Sequence, residues 1–276
     1  MAITAAEVNK LRQMTGSGMM DCKNALVEAD GDFDKAIDIL RKKGQKVAAK
    51  RADRAAGEGY VIAQTNAEHT FGVIMILNCE TDFVAKTNDF VDCAKQINDF
   101  AIANKIKDLA QLMSSSIEGR TIEQILTELT GKTGEKVEIS QYQSMEKPYV
   151  AFYNHMGNRL ASLVAFSKGG STLDLAGHEI AMQIAAMNPV AIDQDSVPQA
   201  TIEHELELAR EITRQEGKPE EMIEKIAQGK LNKFFKENTL LNQEFIKDSK
   251  KIVAQYLKEA TGDATCEGFF RFQLGE

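Results

Sequence analysis

Residues 71–86 read FGVIMILNCETDFVAK. Phe71 to Cys79 is a β-rich apolar run, which predicts a buried strand. It ends abruptly in Glu80-Thr81-Asp82-Phe83-Val84-Ala85-Lys86. Thr81 and Asp82 are good helix N-cap residues, and an aromatic follows at once. Two readings stand here. In one, the segment is a strand-to-helix junction with Asp82 as cap and Phe83 tucked into the core. In the other, an acid and an aromatic stand together at the tip of a rigid strand. Such a pair pushes into another protein: the ring fills an apolar slot and the carboxylate competes for polar groups.

Working outward, strand signals at 59–64 and a polar turn near Asn66 make a hairpin with the 71–79 strand. On the other side Asn88 is the expected cap of a longer helix. Phe90, Ala94, Ile97 and Ala101 recur along its buried face. A further helix is expected from Thr121 to Thr130. Residues 137–167 carry three strand patterns, VEISQYQSM, YVAFYNHM and RLASLVAFS. A helix follows from Ser171, with Leu173, Ile180, Ile184 and Met187 in register. A hairpin followed by a helix thus occurs twice, around 59–105 and 149–188, as a degenerate internal repeat.

The N-terminal stretch reads as a small bundle over 1–44. Thr4 and Glu7 form a capping box, and Ile3 with Val8 a hydrophobic staple. A second helix from Gly18 to about Ala29 sets Met19, Cys22, Ala25, Leu26 and Ala29 on one side, with Met20 and Val27 nearly opposite. A third opens at Gly31-Asp32, carries Phe33, Ile37 and Leu40, and stops at Gly44. Residues 45–57 then form a basic helical linker. Arg41, Lys42, Lys43, Lys46, Lys50, Arg51 and Arg54 face only Asp53, which suits either a solvated helix or an RNA or acidic-protein contact.

The core is expected as 58–136, then 137–197 with 229–276. Residues 198–228 form an inserted α-hairpin with a thin apolar seam of Ile202, Leu206 and Ala209 facing Met222, Ile223 and Ile226. The GKLNKFF run at 229–235, a helix from Ser249 to Ala260 and a strand from Cys266 to Leu274 return the chain to the core. The fold class is α+β: a helical bundle, a two-part core of antiparallel sheets with flanking helices, and a projecting coiled-coil hairpin.

Of 276 residues, 43% are hydrophobic and 27% charged, with a net charge of -8, as in an ordinary globular protein and unlike a free-standing DNA binder. No run is long and apolar enough to span a membrane, and the N-terminus lacks a signal-peptide core, so a cytoplasmic location is expected. Cys22, Cys79, Cys93 and Cys266 form no C-x-x-C pair and suit a reducing cytosol. His69, His155, His178 and His204 lack zinc spacing. Gly131-Lys132-Thr133 has Leu126 where a phosphate-binding loop needs glycine, and reads as a helix stop. No cofactor, metal or catalytic grouping is expected.

LNCETDFVAK resembles a signature of the elongation factor Ts family, the nucleotide exchange factors for elongation factor Tu. LRQMTGSGMMDCKNAL, residues 11–26, resembles a second. The similarity continues through YNH at 153–155, AMQIAAMNP and the final RFQLGE, and so covers the chain. The resemblance implies a ubiquitin-associated-like (UBA-like) bundle at 1–44 and a two-subdomain core. It implies a protein that is not an enzyme and that promotes exchange of GDP for GTP, binding GDP-bound and nucleotide-free elongation factor Tu.

It further implies that Thr81, Asp82, Phe83 and Val84 intrude near the partner's magnesium site and dislodge the ion. Arg12, Met19 and Met20 match positions that contact the partner's GTPase domain. His155 matches, more loosely, a histidine that faces the partner. The family's comparable hairpin is associated with self-association, here through 198–228. Some relatives continue into a further helical module, so this chain, ending at Glu276, is expected to hold its partner through bundle and core alone. Two rivals remain: a scaffold that binds protein without exchange, and a hydrolase, which would need converging carboxylates.

Overall fold

The computed structural model describes residues 3–276. It is an α+β structure that divides into two compact units. One holds the chain up to Ile62, Met75–Ser144 and Phe272–Glu276; the other holds Ala63–Ile74 and Met145–Arg271.

The first unit opens with α1 (Ala5–Thr15), α2 (Met19–Glu28) and α3 (Phe33–Arg51). Thr4 caps α1, and Glu7 reaches back to the Thr4 N–H at 2.7 Å, completing the expected box. Asp32 caps α3. Val8 and Leu11 of α1, Cys22, Ala25 and Leu26 of α2, and Ala36 of α3 share one buried cluster, with Ile3, Phe33, Ile37 and Leu40 packed at its edge. Met19 is an exception to the predicted face. It is the first residue of α2, lies outside this cluster and is 53% exposed.

Gly44 does not stop α3. The helix runs on to Arg51, so no separate linker helix begins at residue 45. Gly44 is buried where α3 meets α7 (Ile122–Thr133), so the glycine serves a close approach and not a cap. Gly131-Lys132-Thr133 likewise lies inside α7, and Gly134, at φ 74°, closes that helix.

β1 (Glu58–Thr65) and β2 (Phe71–Cys79) form the expected hairpin. β5 (Glu138–Glu146) completes a sheet of order β1-β2-β5. As the central strand, β2 is buried along its whole length, which explains its unbroken apolar run. After the four-residue α4 (Asp82–Ala85) comes α5 (Asn88–Ala103). Its cap position is Thr87, one residue earlier than expected. Phe90, Ala94, Ile97 and Ala101 are all buried along it. The short α6 (Leu109–Ser114) and the two-residue pair β3 (Ser116–Ile117) with β4 (Arg120–Thr121) link α5 to α7.

In the second unit β6 (Tyr149–Asn154) pairs antiparallel with β7 (Leu160–Phe166), from Tyr149↔Phe166 to Asn154↔Ala161. The order β10-β7-β6 adds β10 (Cys266–Gln273). Each sheet therefore centres on the second strand of a hairpin and takes its third strand from later in the chain, a feature the sequence repeat of hairpin and helix did not specify. α8 (Thr172–Met187) buries Leu173, Ile180 and Ile184 with Val164 and Phe166. Met187, the last residue of α8, is exposed, because Asn188 in the left-handed region ends the helix there.

α9 (Gln199–Gln215) and α10 (Glu220–Asn238) form the helical hairpin, tied by Arg210 to Glu224 at 2.8 Å and Lys230 to Glu216 at 2.7 Å. α10 passes unbroken through Gly229, so the 229–235 run is helix. Residues 248–252 are strand, not helix: β9 (Asp248–Ile252) pairs with β8 (Glu244–Phe245) before α11 (Val253–Thr261). Glu179 of α8, only 8% exposed, accepts from Lys247 Nζ at 2.8 Å and from the Tyr256 hydroxyl, drawing these later elements onto the helix.

Candidate functional site

β2 ends at Cys79 and the chain turns at once into α4. A four-residue helix has too few internal hydrogen bonds to hold itself. Its shape is set by what grips its ends. Thr81 is the cap, with extended backbone (φ -128°, ψ 154°), and its hydroxyl oxygen accepts from Val84 N–H at 3.4 Å. The Thr81 carbonyl accepts from Ala85 N–H at 3.2 Å and from the Cys79 thiol at 3.1 Å. Burial, helped by the Glu135 carboxylate, pushes the Cys79 thiol up to about 12, so it stays a protonated donor at neutral pH.

The side of Thr81 facing the body is held by Glu135. Thr81 N–H donates to Glu135 Oε2 at 3.0 Å and the Thr81 hydroxyl donates to Oε1 at 2.7 Å. One residue away on each segment the arrangement is reversed. Lys136 N–H donates to Glu80 Oε1 at 2.8 Å. Arg51, at the end of α3, donates to both Glu80 oxygens at 2.9 and 3.2 Å.

From this gripped segment Phe83 stands out into solvent, 80% exposed, while Ala85 beside it is buried. The reading of Phe83 as core and of Asp82 as cap therefore fails: Thr81 caps, and the ring is outside. Asp82 and Val84 are half-buried. Asp82 Oδ2 accepts from Lys86 Nζ at 2.6 Å across one helical turn, and that hydrogen bond holds its carboxyl below the usual range. An exposed phenyl ring on an ordered backbone, with a carboxylate beside it, is suited to filling a slot in another protein.

The other predicted residues fall on two further surfaces. Arg12 is exposed on α1. Met20 is 62% exposed on α2, on the face away from Cys22 and Leu26. Met19, Met14 and Val27 are exposed too, so the bundle presents an adaptable apolar surface in which sequence reasoning missed Met14. His155 belongs to the second unit. Its ring Nδ1 shares a hydrogen bond with the Tyr153 hydroxyl at 3.0 Å, and the Tyr153 ring meets the edge of His178 at 5.6 Å. Asn154, between them, is pinned by both backbone groups of Ala63 at 2.8 Å.

Three of the basic residues at 41–54 are engaged within the chain: Arg41 with Glu128, Lys43 with Asp21 and Arg51 with Glu80. Among the described residues no group of three or more His, Cys, Asp or Glu is arranged to hold a metal ion. No described helix is long and apolar enough to cross a membrane.

The family model described as Elongation factor TS matches residues 80–276. Elongation factor Ts of Christiangramia forsetii is 52% identical over 273 residues, covering 99% of each chain. Elongation factor Ts of Amoebophilus asiaticus is 51% identical over 276 residues, covering 100% of each. Elongation factor Ts of Flavobacterium psychrophilum is 50% identical over 273 residues, again covering 99% of each.

Proposed function

The chain belongs to the elongation factor Ts family, and we propose that it promotes GDP release from elongation factor Tu by driving the Thr81–Val84 tip towards the partner's magnesium and nucleotide site. The observation that carries this reading is Phe83, an aromatic ring exposed at the end of a buried strand.

The energetics are those of linkage. A protein that binds the nucleotide-free state more tightly than the GDP-bound state weakens GDP by the same factor. A thousandfold weakening requires about 4 kcal/mol of coupling. Burying a phenylalanine ring yields about 1.5–3 kcal/mol, so Phe83 supplies a large share if its slot opens only when nucleotide leaves. Asp82 brings a negative charge that competes for the polar groups around the ion. The protein itself performs no bond chemistry; it shifts an equilibrium on its partner.

Arg12, Met19 and Met20 supply the contact with the partner's GTPase domain in this reading, and His155 a second contact from the other unit. Leu208, Ile212 and Met222 leave apolar side chains exposed on the α9–α10 hairpin, which favours self-association there. The setting is translation in the cytoplasm, with no direct role for DNA.

The test is release of a fluorescent GDP from elongation factor Tu, with and without the chain. Strong acceleration under excess unlabelled GDP is expected. Binding without acceleration would make the protein a scaffold.

A further inference from the structure

We infer that Glu135 is a positioning residue for exchange: its carboxylate holds Thr81 so that Phe83 meets the partner already ordered. The inference rests on the reading of Phe83 as the intruding element.

Glu135 lies outside the tip, 54 residues along the chain, just before β5. It reaches Thr81 twice, at the backbone N–H and at the hydroxyl. These are the two donors at the cap of α4, and both meet a charged acceptor. Such bonds are about twice as strong as neutral ones, and two to one carboxylate fix direction as well as distance. Glu80 returns the grip on Lys136 N–H. Residues 80–81 and 135–136 are thereby laced by two carboxylates pointing in opposite senses, each closing on the other segment's backbone.

The consequence concerns Phe83 itself. With 80% of its surface exposed, the ring makes little contact that would fix its own position. Its direction follows from the backbone of a four-residue helix held at Thr81 on its N-terminal side and, on the other, by buried Ala85 and by Thr87, whose N–H and hydroxyl donate to the Val84 carbonyl. Without Glu135 the hydroxyl of Thr81 still caps Val84 and the Cys79 thiol still reaches the Thr81 carbonyl, but the two bonds that tie the Thr81 N–H and hydroxyl to the 135–136 segment are gone. The tip then samples several directions, and ordering it falls on the encounter with the partner. Preorganisation of this kind lowers the cost of reaching the productive complex.

The experiment uses full-length protein and nucleotide release from elongation factor Tu under saturating exchange factor. Glu135→Ala, Glu135→Gln, Phe83→Ala and the Glu135→Ala/Phe83→Ala double variant are compared. Each is assayed at a temperature where circular dichroism shows it folded. Glu135→Ala is expected to slow maximal GDP release at least about tenfold, while half-saturation moves much less. Glu135→Gln, which keeps one acceptor, should fall between it and wild type. In the Phe83→Ala background, removing Glu135 should cost nothing more, because its effect passes through the ring.

If Phe83→Ala slows release but Glu135→Ala slows it equally with and without the ring, Glu135 acts elsewhere and the inference is wrong. If Phe83→Ala leaves release unchanged, the reading of the tip itself fails. Should Glu135→Ala not fold, the Glu135→Gln comparison with and without Phe83 decides by the same criterion.

Discussion

Gly44 of α3 and Gly131 of α7 meet backbone to backbone: a Cβ placed on Gly131 falls 2.7 Å from the Gly44 Cα. The atom it meets is main chain, which cannot swing aside. Alanine in a helix is intrinsically better than glycine by about 1 kcal/mol, and overpacking typically costs about 1–3 kcal/mol. Gly131→Ala should therefore destabilise by up to about 2 kcal/mol in urea unfolding. Gly229→Ala is the contrast. Gly229 is exposed in mid-helix and an added Cβ meets nothing within 4 Å. That change should stabilise by about 1 kcal/mol. Equal signs for the two would refute the assigned crossing.

The two faces of α2 make opposite predictions. Leu26 is fully buried in the bundle cluster, and Leu26→Ala should cost about 2–5 kcal/mol. Met20→Ala should leave the melting temperature nearly unchanged and weaken binding to nucleotide-free elongation factor Tu, measured by titration calorimetry. A melting loss for Met20→Ala as large as that for Leu26→Ala would contradict the faces.

Glu179 predicts an acid limb in stability. Burial alone would raise its pKa, but hydrogen bonds from Lys247 and Tyr256 outweigh that and hold it below the ordinary carboxylate value. A folded pKa below the unfolded one contributes stability that is complete above the ordinary value and disappears as pH falls through the depressed one. Glu179→Gln should lower stability at pH 7 by about 1–3 kcal/mol and flatten the decline between pH 5 and 3. Urea midpoints across that range measure it. A variant curve parallel to wild type would show that Glu179 does not titrate with folding.

Local pattern made much of this legible. The burial of β2, the period of α5 and the Thr4–Glu7 box are all set by neighbouring residues, and sequence carries neighbours directly. Phe83 was readable as a candidate but not as exposed, since a cap followed by an aromatic fits a buried ring equally well. What stayed hidden depends on distant partners. Gly44 looks like a helix stop until Gly131 is opposite it. Glu135 lies in a short polar link with no periodicity, and only the fold brings it to Thr81. Met19 follows the buried period but sits at a helix end that nothing covers. The 248–252 strand is short and polar, and only its pairing with 244–245 defines it.

The central claim is that Phe83 performs exchange and does not support the fold. Its most direct test is stopped-flow release of fluorescent GDP from elongation factor Tu at saturating wild-type protein and at saturating Phe83→Ala. The exposed ring predicts an unchanged melting temperature and a maximal release rate at least about tenfold lower, equivalent to about 1.4 kcal/mol of lost coupling. A Phe83→Ala protein that melts early but releases GDP at the wild-type rate would contradict it.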